Sequence, residues 1–290
     1  MLSISQTTNG FYCIEWSPTE NGPKIIKHKH ISINKSIEEE GVLKKIISFF
    51  KPTLHTDSTS LSITLNIDKF LISQIKCGEN INNKDYIRWY EKNILNDDFK
   101  KKYDMYYFPL AKGFSFLNLS INKDIKHKLF NLSSELGYNL MYLSVDIFSS
   151  ATLLKQISNN NNFLIWKIGK NNYHYLLNIV NGKICSYAKY KKQGDNLTDR
   201  IKIGDNKTLD ELSKFLYSIL IKNKDSKIFN NVYTYQTNNN NTLIKKISSM
   251  KDSNIKLFDI SKIFVKEINL SSIKCSKYVE NGISFRGLDV

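Results

Sequence analysis

The chain has 290 residues, 41% of them hydrophobic, with a formal net charge of +15; that is enough for a sizeable core in one large or two ordinary domains. No apolar run is long enough for a spanning helix, and the start MLSISQTTNG lacks a basic segment followed by an apolar one, so neither a membrane span nor a secretory signal is expected, and a cytoplasmic protein is. The excess charge is nearly all lysine, with only Arg88, Arg200 and Arg286 as arginine; base and phosphate recognition favours the arginine fork, and Lys, Asn and Ile share A/T-rich codons, so no specific nucleic-acid partner is expected.

In chain order, LSIS, FYCIEW and KIIKHKHISI have strand composition. SIEEEGVLKKIISFF predicts a helix, with Ser36 and Glu39 as a capping box and Pro52 as its stop. SLSITLNI alternates strictly, placing Leu61, Ile63, Leu65 and Ile67 on one strand face. A strand FLISQIK, a helix KDYIRWYEKNIL, the aromatic cluster YDMYYF and a strand FSFLNLSI follow. DIKHKLFNLSSELG predicts a helix ending at Gly137. NLMYLSV is a strand, and Asp146 is expected to cap the helix IFSSATLLKQI. The tract from Ser158 to Asn162 is a polar break and the expected hinge.

Beyond the break the order repeats. FLIWKI, YHYLLNIV and KICSYAKY are strands, the last two joined by the Asn181-Gly182 turn. TLDELSKFLYSILIK predicts a helix with a Thr208/Glu211 capping box. NVYTYQ, NTLIKKISSM and IKLFDI read as strand, helix and strand. Three antiparallel strands followed by alternating helices and strands, made twice, predict an α/β protein of two mixed-sheet halves with a cleft between them. An insertion near residues 68–122 enlarges the first copy.

Little else carries chemistry. His28 and His30 share a strand face but have no third ligand nearby in sequence. His55, His127 and His174 are isolated, and Cys13, Cys77, Cys185 and Cys275 lie at no metal or redox spacing, so they read as free thiols.

The order and spacing of several weak motifs resemble one branch of the actin-like ATPase superfamily: the PilM-like proteins of type IV pilus assembly, related to FtsA and GspL. The matching stretches are IWKIGKNNYHYLLNIVNGKI followed by QGDNLTDRI, the strand and helix LSVDIFSSATLL, Trp89 and Glu91 in the insertion, and YVENGISFRGLDV with Gly282, Arg286, Gly287 and Leu288. The resemblance implies a duplicated actin-like (ribonuclease H-like) fold. Its first half would take residues 1–60 and 123–160, with an inserted α+β subdomain at 61–122. The second half would take 161–268, and 269–290 would return to the first half as a C-terminal helix.

In that superfamily two phosphate loops, each with an acid near bound Mg²⁺, hold ATP. The matching positions here are Ser3 and Ser5, Lys167 and Gly169, and Gly194 and Asp195. The adenosine segment falls near Gln236 to Asn239, without glycine. Serine lacks a carboxylate's charge and an ammonium repels a metal. The expectation is therefore a pseudo-ATPase: not an enzyme, with no confident cofactor-binding residue and neither ATP nor Mg²⁺ as cofactor. Residual metal-free nucleotide binding stays open. The alternative is an active ATPase or small-molecule kinase.

The resemblance further implies a non-catalytic scaffold of a pilus or related secretion machine. It would bind the short cytoplasmic tail of an inner-membrane partner of the PilN type and be held at the inner membrane through partners. Leu61, Ile63, Leu65, Ile75, Trp89, Tyr103, Tyr106, Tyr107 and Phe108 are the expected partner-binding residues. Self-association and peripheral contact with an anionic membrane stay open.

Overall fold

The computed structural model describes residues 1–7, 9–20, 22–50, 60–78, 83–112, 114–158, 160–236, 242–249, 254–258, 260–261 and 272–285. Pro52, His55, Asn238, Asn239, Arg286, Gly287 and Leu288 of the expectations above lie outside the described residues.

The first half opens with an antiparallel meander, β1 (Leu2–Thr7), β2 (Gly10–Thr19) and β3 (Gly22–Ile31), then helix α1 (Val42–Ser48) and β4 (Ser60–Leu65). The insertion follows: β5 (Phe70–Lys76), α2 (Asn83–Asn93), α3 (Asp97–Lys102), β6 (Tyr103–Pro109) and β7 (Ser115–Asn122). Then come α4 (Lys123–Glu135), β8 (Asn139–Val145) and α5 (Asp146–Ile157). The second half holds β9 (Phe163–Ile168), β10 (Tyr173–Val180), β11 (Lys183–Gln193), β12 (Asn196–Ile203), α6 (Asn206–Leu220), β13 (Val232–Gln236), α7 (Thr242–Ser248) and β14 (Ile255–Leu257). The chain continues through a short helix α8 (Ser272–Cys275) into a 3-10 segment, Ser276–Phe285.

The duplication is visible in the sheets. The first runs β3-β2-β1-β4-β8 and the second β12-β11-β10-β9-β13-β14, so β9, β10, β11, β13 and β14 repeat β1, β2, β3, β4 and β8. In each, the meander is antiparallel and the later strands join in parallel beside its first strand. The insertion forms its own sheet, β5-β7-β6.

Each half has a core between sheet and helices. Leu61, Ile63 and Leu65 pack with Leu43, Ile46 and Ile47 of α1, and Leu164 and Trp166 with Leu212, Phe215 and Leu216 of α6. A third apolar cluster crosses the middle of the molecule. It joins Ile165, Tyr175 and Tyr187 of the second half to Leu117 and Leu119 of the insertion, Ile147 and Leu153 of α5, and Val279 and Phe285.

Local expectations fail at three helix starts. Ser36 N–H does bond Glu39 Oε1 at 2.7 Å, the returning half of a capping box. Yet Gly41, at φ 75°, interrupts the chain and regular helix begins at Val42, because a left-handed glycine ends one turn and starts another. Helix α6 is capped by Asp205, which accepts from Thr208 N at 3.0 Å and Thr208 Oγ1 at 2.7 Å, so Thr208 lies inside the helix and the expected box is not formed. Asp146 is not a cap either: Val145 holds that place, and Asp146 is the first helical residue, fully buried. Finally, QGDNLTDRI is a hairpin turn running into β12, a fourth antiparallel strand with no counterpart among the described residues of the first half.

Candidate functional site

The strand FLIWKIG puts one cation in an apolar run. Lys167, on β9 between Trp166 and Ile168, is almost fully buried. A buried ammonium needs carboxylates around it, and the fold supplies two. Lys167 Nζ lies 2.5 Å from Asp146 Oδ2 at the start of α5 and 2.6 Å from Glu280 Oε1 in the 3-10 segment. Asp146 also accepts from the backbone N–H groups of Ile67 at 3.1 Å and Ile147 at 2.6 Å. Glu280 accepts from the hydroxyls of Tyr235 at 3.1 Å and Ser5 at 3.3 Å. Tyr235 accepts in turn from Ser150 at 3.0 Å.

One cation between two acids is neutral only when a proton is shared. Burial accordingly pushes the Glu280 carboxyl up to about 7, with Lys167 opposing and Asp146 adding to the rise. For Lys167 burial disfavours the charge, but Asp146 and Glu280 outweigh it and hold its pKa above the ordinary lysine value.

The phosphate-loop positions meet here in part. Ser3, like Ser5, is fully buried and accepts from Asn281 Nδ2 and Ser62 Oγ, each at 3.0 Å. Ser5 bonds Glu280, and Lys167 bonds both acids, so the expectation that carboxylates are absent from this point is corrected. They are present, one on α5 and one on the C-terminal segment, and Lys167 binds both. This arrangement does not fit a divalent cation, because the tethered ammonium already takes the oxygens a metal would need. Among the described residues no group of three or more His, Cys, Asp or Glu could hold a metal. His28 and His30 instead pack on tyrosine rings, those of Tyr278 and Tyr12.

Gly169 and Asp195 lie apart from the triad, on the wall of an open cavity of about 640 Å³. Asn9 of the β1–β2 turn, the β9–β10 turn Gly169 to Asn172, His174, Lys192 and Lys246 complete much of its polar lining. Gly194, at φ 57°, is in the exposed β11–β12 turn and not in this lining.

A different, apolar groove lies between the first half and the insertion. It measures about 330 Å³ and is lined by Phe70, Tyr106, Phe108, Leu119, Ile121, Leu143, Ser144, Val145, Phe148, Thr152 and Ile283. Two strand edges flank it: β8 is the outer strand of the first sheet and β6 an outer strand of the insertion sheet. Of the expected partner-binding residues, Tyr106 and Phe108 line the groove. Leu61, Ile63, Leu65 and Ile75 are buried. Tyr107 turns to the other face of the insertion sheet, its hydroxyl meeting Met105 and Glu91, and Tyr103 stacks on Phe99. Trp89 stands half exposed on α2, beside Tyr86. Sequence reasoning missed Asp146, Glu280, Leu143, Phe148 and Ile283. For the two acids a signal existed, since a lysine in the middle of an apolar strand demands them.

No family model matches the chain, and no curated protein matches it. Among solved structures, a chain of a "PilM-PilN type IV pilus biogenesis complex" superposes with a TM-score of 0.63 at 12% identity, over 99% of this chain and 98% of that one. The fold is PilM-like. It is the duplicated actin-like fold expected above, with the insertion in the first half. Weaker likenesses are to the cytoplasmic domain of EpsL, an inner-membrane component of the type II secretion system of Vibrio cholerae (TM-score 0.46, 9% identity, 96% and 93% covered), and to a protein of unknown function with actin-like ATPase fold from Bacteroides thetaiotaomicron (TM-score 0.45, 13% identity, 89% and 90% covered). On this PilM-like frame the buried Lys167 triad joins the two halves, and the insertion side carries the apolar groove.

Proposed function

We propose that this chain is a non-catalytic scaffold of a type IV pilus or related secretion machine. It receives the short cytoplasmic tail of an inner-membrane protein of the PilN type in the groove between β6 and β8. The groove carries this reading. Its aromatic and aliphatic lining gives an extended segment apolar pockets, and its two strand edges offer backbone hydrogen bonds, the combination that sheet-edge peptide recognition uses. In this reading attachment at the inner membrane runs through such a partner; no helix of the described residues is long and apolar enough to cross a membrane. The Lys167 triad supports the non-catalytic part, since it spends on a side chain the carboxylates that a metal-dependent phosphoryl transfer requires.

The test is fluorescence polarisation with a labelled synthetic peptide, the short cytoplasmic tail of a PilN-type inner-membrane protein from the same organism. Micromolar binding is expected for the wild type. Phe108→Ala is expected to weaken it by about tenfold, the usual cost of removing an aromatic anchor, while Trp89→Ala leaves it unchanged. No binding by the wild type, or equal binding by Phe108→Ala, overturns the reading.

A further inference from the structure

The buried triad and the apolar groove share their supports. Val145 and Phe148, which line the groove, flank Asp146 in the chain. Ile283, on the same wall, lies in the 3-10 segment that carries Glu280. One side chain fastens these pieces together: Ser149 Oγ donates to Glu280 O at 2.7 Å and accepts from Ile283 N at 2.8 Å. Through Lys167, β9 of the second half thus holds both the start of α5 and the C-terminal segment, and with them the back wall of the groove.

We propose that Lys167 and Glu280 are positioning residues for the groove: the buried Lys167–Asp146–Glu280 triad between the two halves sets the wall formed by Val145, Phe148 and Ile283, so that the groove is held open to its partner without any bound nucleotide. This rests on the groove being the partner site. A diffusible cation in the cleft could leave and let the wall move. An ammonium tethered to β9 cannot leave, so the geometry passes from cleft to groove continuously.

The test uses Glu280→Ala, which leaves Lys167 and Asp146 as a neutral pair and releases only the C-terminal segment, together with Glu280→Gln, which keeps the acceptor. Two readouts are taken on the full chain: affinity for the same tail peptide, and amide hydrogen exchange. Glu280→Ala is expected to bind about tenfold more weakly, within the range of coupling seen for residues that contact no ligand. Its exchange protection falls at residues 140–149 and 276–285 and stays at wild-type level in β10–β12 and α6. Glu280→Gln stays close to wild type in both. A purely structural role would lower protection everywhere alike, and that outcome, or unchanged peptide affinity, overturns the proposal. If the wild type does not bind the peptide, the groove reading fails by itself; the exchange pattern then decides whether the triad sets the wall. Should Glu280→Ala not fold, Lys167→Met/Asp146→Asn removes one charge of each sign, leaves Glu280 holding its proton, and is read by the same two measurements, with the same local loss expected.

Discussion

A single residue holds the buried centre of the molecule together. Lys167 is the cation of its own site, and each of its partners would be left as a buried acid without it. Lys167→Met is therefore expected to cost roughly 3–5 kcal/mol, the penalty of breaking a buried ion pair from one side, measured as the urea midpoint at constant slope. Glu280 adds a pH dependence whose sign is fixed by its upward shift from 4.5 to about 7. The folded carboxyl holds its proton where the unfolded one has released it. Its stabilising contribution is complete below the unfolded value and is lost as pH rises through the folded one. Stability is expected to fall through this group as pH rises from the unfolded towards the folded value. Glu280→Gln flattens that part of the curve, and an unchanged pH profile in that variant sinks the assignment. Lys167 was legible in the sequence as a misplaced charge. Its partners were not, because Asp146 has the local pattern of a helix cap and Glu280 lies more than a hundred residues away, where only the tertiary fold brings it near.

At the scale of elements, the C-terminal 3-10 segment stays in place because it comes very close to α5. A Cβ on Gly282 would meet the Ser149 carbonyl oxygen and Leu153 Cβ, both at 2.5 Å. The backbone of α5 cannot yield, so Gly282→Ala is expected to lift the segment and cost about 2–3 kcal/mol. Tail affinity falls with it, because Ile283 moves. Denaturant unfolding and peptide titration on the same variant check both; wild-type stability would mean the contact is softer than drawn. Strands and most helices could be read from period and turn chemistry alone: the Asn181-Gly182 hairpin, with Asn181 at φ 51° and Gly182 at φ 72°, is one case. The errors were of two kinds. Caps competed locally, Asp205 against Thr208 and Gly41 against Ser36, and the nearer geometric solution won. Strand β12 has the polar, charged composition of a sheet edge, NLTDRIKI, and Asp199 interrupts the alternation of Leu197, Ile201 and Ile203. The groove was half legible. Tyr106 and Phe108 sit in the aromatic cluster of the insertion, whereas Leu143, Phe148 and Ile283 become neighbours only when the insertion sheet closes over β8 and α5.

In the whole molecule, the two halves are joined at several independent points. Lys167 of the second half pairs with Asp146 and Glu280. Asp68 accepts from Lys189 at 2.6 Å and from Tyr175 at 3.3 Å, Gln74 Oε1 accepts from Gly204 N at 3.1 Å, and Ala111 N donates to Ile184 O at 2.7 Å. The insertion is thus fastened to the second half as well as to the first. Opening the cleft to admit a metal would break these contacts and expel Lys167 from two carboxylates, at a cost of several kcal/mol before any metal bond forms. The polar cavity beside Gly169, with Lys170, Lys192 and Lys246 on its wall, lies outside the triad, and an anion there would meet these ammonium groups as point charges. A fluorescent ATP analogue titrated in Mg²⁺ and again in EDTA is therefore expected to give superimposable curves, weakened by salt in both, with no phosphate released over hours. Micromolar binding that vanishes in EDTA would show that magnesium displaces the lysine, and the reading of this frame as a docking scaffold would have to be given up for that of an enzyme.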